Sequence, residues 1–559
     1  MKLFWLFFAS CTAAVANPST DDGGPFQDLL HLSLNKHFEF LASQDEPAYY
    51  LSYTVTHSET VRLTAVEGLL GENEVQQHRL LDVDLRVGSM ELDNTHRQQG
   101  LWGVGKHFSA KLPIDGHALA TQAILWRETD EAYVDASDQM ARIRGANRVR
   151  VEESDSSGDF GPAEIYQHTS APSELDLDLE ALKKDLVSVS AVFLKWPEIL
   201  ESRVSLVAEN TWVSFVSSEG ARLFYPHRNY RIGLQAWMRA EDGTDIALFD
   251  GFDALDPEDL PDLSLLERRA EALAERVVAL EKAPELEPFT GPIILSGKAA
   301  GVFFHEVLGH RVEGHRQKDA DEGQTFTAKV GEKILPEFLS IWDDPTQRDL
   351  EGVPLVGHYE FDAEGSRAEA VKLVEDGVLR SFLMGRSPIS GFPVTNGHGR
   401  REPGKAAVSR QGNLMIRAKN PKSDEVLREM LIRETKRQGR EYALIVDSIQ
   451  GGFTLTGRDA PNSFQVTPDY AWKVFVDGRP DELVRGVDLI GTPLVTFERI
   501  MAAGESVGVF NGRCGAESGW VPVSASSPAL LLSEIEVQKK GKGSALPLIL
   551  PAPELKAAP

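Results

Sequence analysis

The most constraining stretch of this chain is residues 301–315, which read Gly301-Val-Phe-Phe-His305-Glu306-Val-Leu-Gly309-His310-Arg-Val-Glu313-Gly314-His315. The aromatic pair Phe303-Phe304 predicts a buried helix leading into a polar segment. His305 and His310 are five residues apart. At about 100° per residue, a regular helix leaves two such imidazoles about 140° apart, on different faces. A spacing of four would bring them within about 40°, as in the H-E-x-x-H motif of zinc proteases. If His305 and His310 share a ligand, the helix must either bulge or end between them. Gly309 is the residue expected to permit that departure.

The residue types suit hydrolysis. Neutral imidazoles bind Zn²⁺, and a glutamate beside the metal, here Glu306, can take a proton from water. A catalytic zinc needs a third protein ligand and one open position. Cys514, flanked by glycine in Asn511-Gly512-Arg513-Cys514-Gly515, is the leading candidate. Glu313, His315 and His358 compete on residue type. His398, Arg400 and Arg401 join His315 as groups able to stabilise an oxyanion or grip a peptide, against a plainer reading as structural hydrogen-bonding residues.

Around this stretch the chain divides into a leader and two parts. Residues 1–16 have a lysine, a short apolar run from Leu3 to Ser10 and Ala14-Val15-Ala16 before Asn17. They read as a cleaved secretory signal peptide, which predicts export to the periplasm or the extracellular space. An alternative takes Cys11 as an acylated lipoprotein cysteine. Residues 17–285 read as an N-terminal α+β domain and residues 286–559 as a C-terminal domain rich in strand. In the first, a helix is expected over 28–43, strands over 48–56, 61–69 and 80–90, an exposed insertion over 152–175, and a helix over 177–189. Strands over 203–209, 211–217 and 231–239 follow. A helix carrying Leu266, Ala270, Leu273, Val277 and Leu280 on one face opens with a capping box, Ser264 and Glu267. In the second, strands are expected over 353–361, 368–374 and 379–384, with a hairpin turn at Glu375-Asp376-Gly377. A helix over 424–437 precedes strands over 442–448 and 470–476. The fold class is α+β, and no stretch of some 20 apolar residues offers a transmembrane helix.

Composition narrows the partners. With 58 basic and 85 acidic residues the formal charge is −27, which repels phosphate backbones and argues against nucleic acid. Two cysteines exclude a disulfide-rich scaffold. If the leader is removed, Cys514 is the only one left.

The run Thr290-Gly-Pro-Ile-Ile-Leu-Ser, followed by residues 300–315, strongly resembles the TldD/PmbA family of metalloproteases, also called modulator of DNA gyrase. Arg513-Cys514-Gly515 with Val521-Pro522-Val523, and Asn396-Gly-His-Gly-Arg-Arg401, resemble further elements of that family. The likeness is dense from about residue 285 to 537. It implies that His305, His310 and Cys514 bind one zinc ion and that Glu306 is the catalytic base, as in active TldD-type members. It also implies a dimer enclosing the site, either a homodimer or a heterodimer with a PmbA-type subunit, acting on unfolded or flexible peptides. The familiar members are cytoplasmic, so the leader is a departure. Two other functions stay open: a non-hydrolytic partner subunit, and an exported peptide-binding module without metal.

Overall fold

The computed structural model describes residues 23–96, 106–115, 117–146, 155–240, 242–319, 322–457 and 463–539. The leader, Cys11 and residues 152–154 lie outside them. The fold is α+β, with a mixed α/β N-terminal region and a β-rich C-terminal sheet.

Among the described residues the first sheet has seven strands, drawn from 48–254. Its long strands alternate apolar and polar side chains, so one face can be buried under helices. Ala48–Val66 is one continuous strand where two were expected. His57-Ser58-Glu59-Thr60 looks like an interruption in sequence, but it is hydrogen-bonded on both sides, to 76–79 and to 209–212. Glu201–Ser217 is likewise unbroken. Its fully buried Asn210 is satisfied by Ser173, whose hydroxyl and carbonyl both lie 2.7 Å away. The helices Leu179–Val192 and Leu263–Lys282 cover one face. The latter buries Leu266, Ala270, Leu273, Val277 and Leu280 as its periodicity predicts. Its cap differs from the expectation. Asp262 accepts from the Leu265 N–H at 2.7 Å and from the Ser264 hydroxyl at 2.8 Å, so the Ser264–Glu267 box does not form.

The segment expected as an exposed insertion carries one short strand, Gln167–Thr169, paired with 222–224, and is anchored near its start. Phe160 is 2% exposed. It is held between the Arg86 and Arg386 guanidiniums, 3.9 and 3.8 Å from its ring centroid. Arg386 also donates to the Gly161 carbonyl at 3.0 and 2.9 Å. Cation–π contact and a backbone hydrogen bond thus strap the N-terminal region onto the C-terminal one.

The second sheet runs from Phe289 to Lys539. Five of its strands hydrogen-bond in a ring: Phe289–Leu295, Tyr442–Thr454, Phe464–Phe475, Val487–Gly491 and Gly519–Lys539, which pairs back onto the first. The hairpin at 375–377 forms as expected. Val374 pairs with Leu379 and Glu375 with Val378, and Asp376 and Gly377 take the positive φ that a two-residue turn requires. The helix Asp424–Arg437 matches its prediction. Only Val353–Pro354 is strand in the stretch expected to be strand to Phe361. Beyond it the chain runs close against a neighbouring backbone: a Cβ on Gly357 would lie 2.2 Å from the Gly412 carbonyl oxygen. No helix among the described residues is long and apolar enough to cross a membrane.

Candidate metal centre

Ser296 caps the helix Gly297–Val307, its hydroxyl accepting from the Ala299 N–H. All of the helix but Lys298 is buried, with Phe304 stacked on Phe497 and Phe303 edge-on to it in the core. It packs against the strands Tyr442–Thr454, Ile500–Ala516 and Gly519–Lys539. Contact is close because glycine lines it. A Cβ on Gly297 would meet the Gly508 nitrogen at 2.2 Å, and one on Gly301 the Ala525 carbonyl at 2.7 Å. That approach brings the helix end to the strand carrying Cys514.

The helix ends at Val307, and residues Gly309–Val312 form a 3₁₀ turn. Of the two routes open to the five-residue spacing, termination is the one taken. The freed carbonyls are satisfied by Arg311, which donates to the Glu306 and Val307 oxygens at 2.9 and 3.2 Å. Gly309 serves differently from the expectation. Its φ is not positive, but a Cβ there would lie 1.9 Å from the Gln411 side-chain oxygen. Close approach of the Gln411 side chain, not backbone freedom, is what glycine accommodates here.

The two imidazoles then face each other, with ring centroids 5.0 Å apart. Cys514 Sγ lies 3.2 Å from His305 Nε2 and 3.3 Å from His310 Nε2. All three side chains are buried and their donor atoms lie within 4.8 Å of one another, the one such group among the described residues. Burial alone would push the Cys514 thiol up. The facing His310 and His305 imidazoles outweigh it and hold the thiol well below its ordinary value. The two histidines are correspondingly raised, against the opposing effect of burial. Two imidazole nitrogens and a thiolate suit a zinc ion, with a fourth position left for water or substrate.

Glu306 stands beside this group without joining it, its Oε2 4.0 Å from His310 Nε2. Room for it is made by Gly452, where a Cβ would lie 2.8 Å from Glu306 Cγ. The competing ligands are turned to other tasks. Glu313, fully buried, accepts from Arg316 at 2.8 Å and sits 3.3 Å from His310 Nδ1. Burial would raise its carboxyl, but His310, Arg316 and Arg410 hold it at about 2. It therefore fixes the His310 proton on Nδ1 and leaves Nε2 free. His315 pairs with Glu517 at 2.6 Å, and His358 Nδ1 with the Pro345 carbonyl at 2.8 Å. His398 lies between Asn396 and Asp343, Arg400 donates to the Gln411 carbonyl, and Arg401 meets Asp82 at 3.1 Å. All four polar candidates have internal partners, in line with the plainer reading.

Two supporting residues carry no signal in the sequence. Arg410, fully buried, donates to the Cys514 carbonyl at 2.7 Å and lies 3.4 Å from Glu313, so it couples the two halves of the site. Gln411 reaches the His305 carbonyl. Neither stands at a spacing that periodicity or motif would single out.

Residues 289–539 match the family described as the PmbA/TldA metallopeptidase C-terminal domain. A metalloprotease of Archaeoglobus fulgidus is 30% identical over 370 residues, covering 64% of this chain and 75% of its own. One from Methanothermobacter thermautotrophicus is 29% identical over 356 residues, covering 62% and 72%. A protein of Saccharolobus solfataricus named zinc metalloprotease TldD homolog is 22% identical, covering 47% and 55%. The crystal structure of TldE from Thermococcus kodakarensis shares the fold with a TM-score of 0.57 at 15% identity, covering 92% of this chain and 99% of that one.

Proposed function

The chain belongs to the TldD/PmbA family of metallopeptidases, and from that premise we propose that it is an active, zinc-dependent peptidase of unfolded or flexible peptides. His305, His310 and Cys514 hold one zinc ion per chain, and Glu306 is the general base. The observation that carries this reading is the convergence of Cys514 Sγ on both imidazoles from more than 200 residues away, with the Glu306 carboxylate just outside the group. The thiolate and the two imidazoles bring three donor atoms together, and a divalent cation would displace the protons that the raised imidazoles hold.

A bound zinc supplies Lewis acidity, polarising the scissile carbonyl and acidifying water. Glu306 accepts the proton of the attacking water and delivers it to the departing amine. Glu313 keeps His310 in the tautomer that presents Nε2, and Arg410 fixes the backbone at Cys514. The leader at residues 1–16 exports the protein, and the working form is a dimer, with itself or with a PmbA-type subunit. The TldE fold likeness and the TldD homologues support the pairing.

The test compares two variants on a casein-like unfolded substrate. Glu306→Gln keeps its shape but cannot take the proton, so turnover should fall about 10²–10⁴-fold with zinc content retained. His305→Ala should lose zinc and activity together. A fully active Glu306→Gln would refute the mechanism, and zinc without turnover in the parent protein would favour a non-hydrolytic subunit.

A further inference from the structure

The strand that carries Cys514 reaches the metal centre as part of a two-stranded tongue. From the pair Gly512 and Val523 to the pair Ala516 and Gly519, five residue pairs join Ile500–Ala516 to Gly519–Lys539, and no further strand among the described residues pairs with them. The strand Asn413–Ala418 joins only from Ser524 onward. Glu517 and Ser518 form the turn at the tip, and Cys514 with Val521 is the third pair back from it. A two-stranded ribbon is marginal on its own, and its end frays unless something outside the ribbon holds it. The position of Cys514 therefore depends on what holds the tip.

Arg410 and Glu402 take its backbone. Arg410 donates to the Cys514 carbonyl at 2.7 Å, the Ser518 hydroxyl at 2.9 Å and the Gly519 carbonyl at 3.1 Å. Glu402 donates its N–H to the Ser518 carbonyl at 2.8 Å and accepts from the Trp520 N–H at 3.0 Å. Glu517 takes the histidine segment itself. One carboxylate oxygen accepts from His315 Nε2 at 2.6 Å and the other from Arg316 at 2.9 Å. His315 and Arg316 are buried and follow His310 by five and six residues. Arg316 also donates to Glu313 at 2.8 Å, and Glu313 meets His310 Nδ1 at 3.3 Å. These contacts close a ring that runs through His310, Glu313, Arg316 and Glu517 and back along the tongue to Cys514, whose Sγ lies 3.3 Å from His310 Nε2. A guanidinium spanning two carboxylates fixes direction as well as distance, because its donors form a rigid planar fork.

We propose that Glu517 is a positioning residue of the metal centre: by clamping the tongue to His315 and Arg316 it sets how far the Cys514 thiolate stands from the two imidazoles, and so the affinity for the metal. The proposal rests on the zinc reading of this site. Three donors must stand at the spacing that one ion demands, and groups that orient ligands from behind control affinity. Glu322 supplies the comparison. Its carboxylate accepts from the same Arg316 at 2.7 Å but lies outside the tongue. If the carboxylates around Arg316 only balance its charge, Glu322 and Glu517 are equivalent. If Glu517 positions Cys514, they are not.

Two measurements on the full-length protein test this, and neither needs turnover. In competition with a chelator, the zinc Kd should rise about tenfold in Glu517→Gln and stay within about twofold of the parent in Glu322→Gln. The second measurement needs no metal. With chelator present at about pH 9.5, above the ordinary thiol value, Cys514 is ionised in every variant and its alkylation reads access. Iodoacetamide should modify Cys514, followed by peptide mass spectrometry, severalfold faster in Glu517→Gln and at the parental rate in Glu322→Gln. A Glu517→Gln protein that matches the parent in either measurement would overturn the proposal, as would equal changes in the two variants. If the parent holds no zinc while alkylation responds as expected, the zinc reading fails and the clamp stands. If zinc affinity responds but the parent cleaves no peptide, only the peptidase reading fails.

Discussion

Glu313 offers a demanding test of how the metal centre is built. Replacing it with glutamine removes one charge from a position with no exposure to water. Three cationic groups meet it: His310 Nδ1 at 3.3 Å, Arg316 at 2.8 Å and Arg410 at 3.4 Å. Arg316 keeps Glu322 and Glu517, at 2.7 and 2.9 Å. Arg410 has no other ion-pair partner among the described residues. The new amide has one acceptor oxygen, and its NH₂ must face a guanidinium or the imidazole, donor against donor. Breaking a buried pair in this way costs about 3–5 kcal/mol of stability. Losing the group that orients a ligating histidine weakens metal binding about 10–100-fold. Urea unfolding of metal-free protein reads the first quantity, and zinc titration against a competing chelator reads the second. A zinc Kd within twofold of the parent would refute the orienting role of Glu313, even with stability lowered.

Cys514→Ser should lower zinc occupancy sharply in elemental analysis, since a neutral alcohol is a far poorer ligand than a thiolate; full occupancy would remove Cys514 from the site. The pH dependence of stability should carry a mark of the buried Asp362–Glu364 pair. Burial and then the Glu364 charge push Asp362 up to about 8, so the folded state holds more protons than the unfolded one between about pH 4 and 8. Stability should therefore fall as pH rises through that window, and Glu364→Gln should flatten the fall in urea titrations at pH 5 and 8; identical slopes would contradict the assignment. Native protein should begin at Asn17 on N-terminal sequencing, and an intact Met1 or a lipid on Cys11 would disprove the cleaved leader.

Much of the C-terminal region was legible from local pattern. Asp424–Arg437 carries a cap and a periodic face, and Asp376-Gly377 supplies the backbone conformations that a tight turn demands, so both could be read without their neighbours. The five-residue spacing of His305 and His310 by itself forces the helix to depart from regularity, because helix geometry is local. Which departure occurs is not local. Termination after Val307 is stable because Arg311 caps the freed carbonyls, and Gly309 leaves room for Gln411, which arrives from another segment. The strands at 48–66 and 201–217 look broken in the sequence because polar residues such as Glu59 and Asn210 interrupt the pattern, while ladder partners on both sides keep the backbone extended. Cys514 could be nominated from its type and its glycine neighbours, but its distance to the imidazoles is set by the register of the Ile500–Ala516 and Gly519–Lys539 hairpin and by glycine contacts with the helix. Glu313 and Arg410 belong to the same class. Their roles arise from charges brought together across hundreds of residues, and only tertiary packing decides which charges meet.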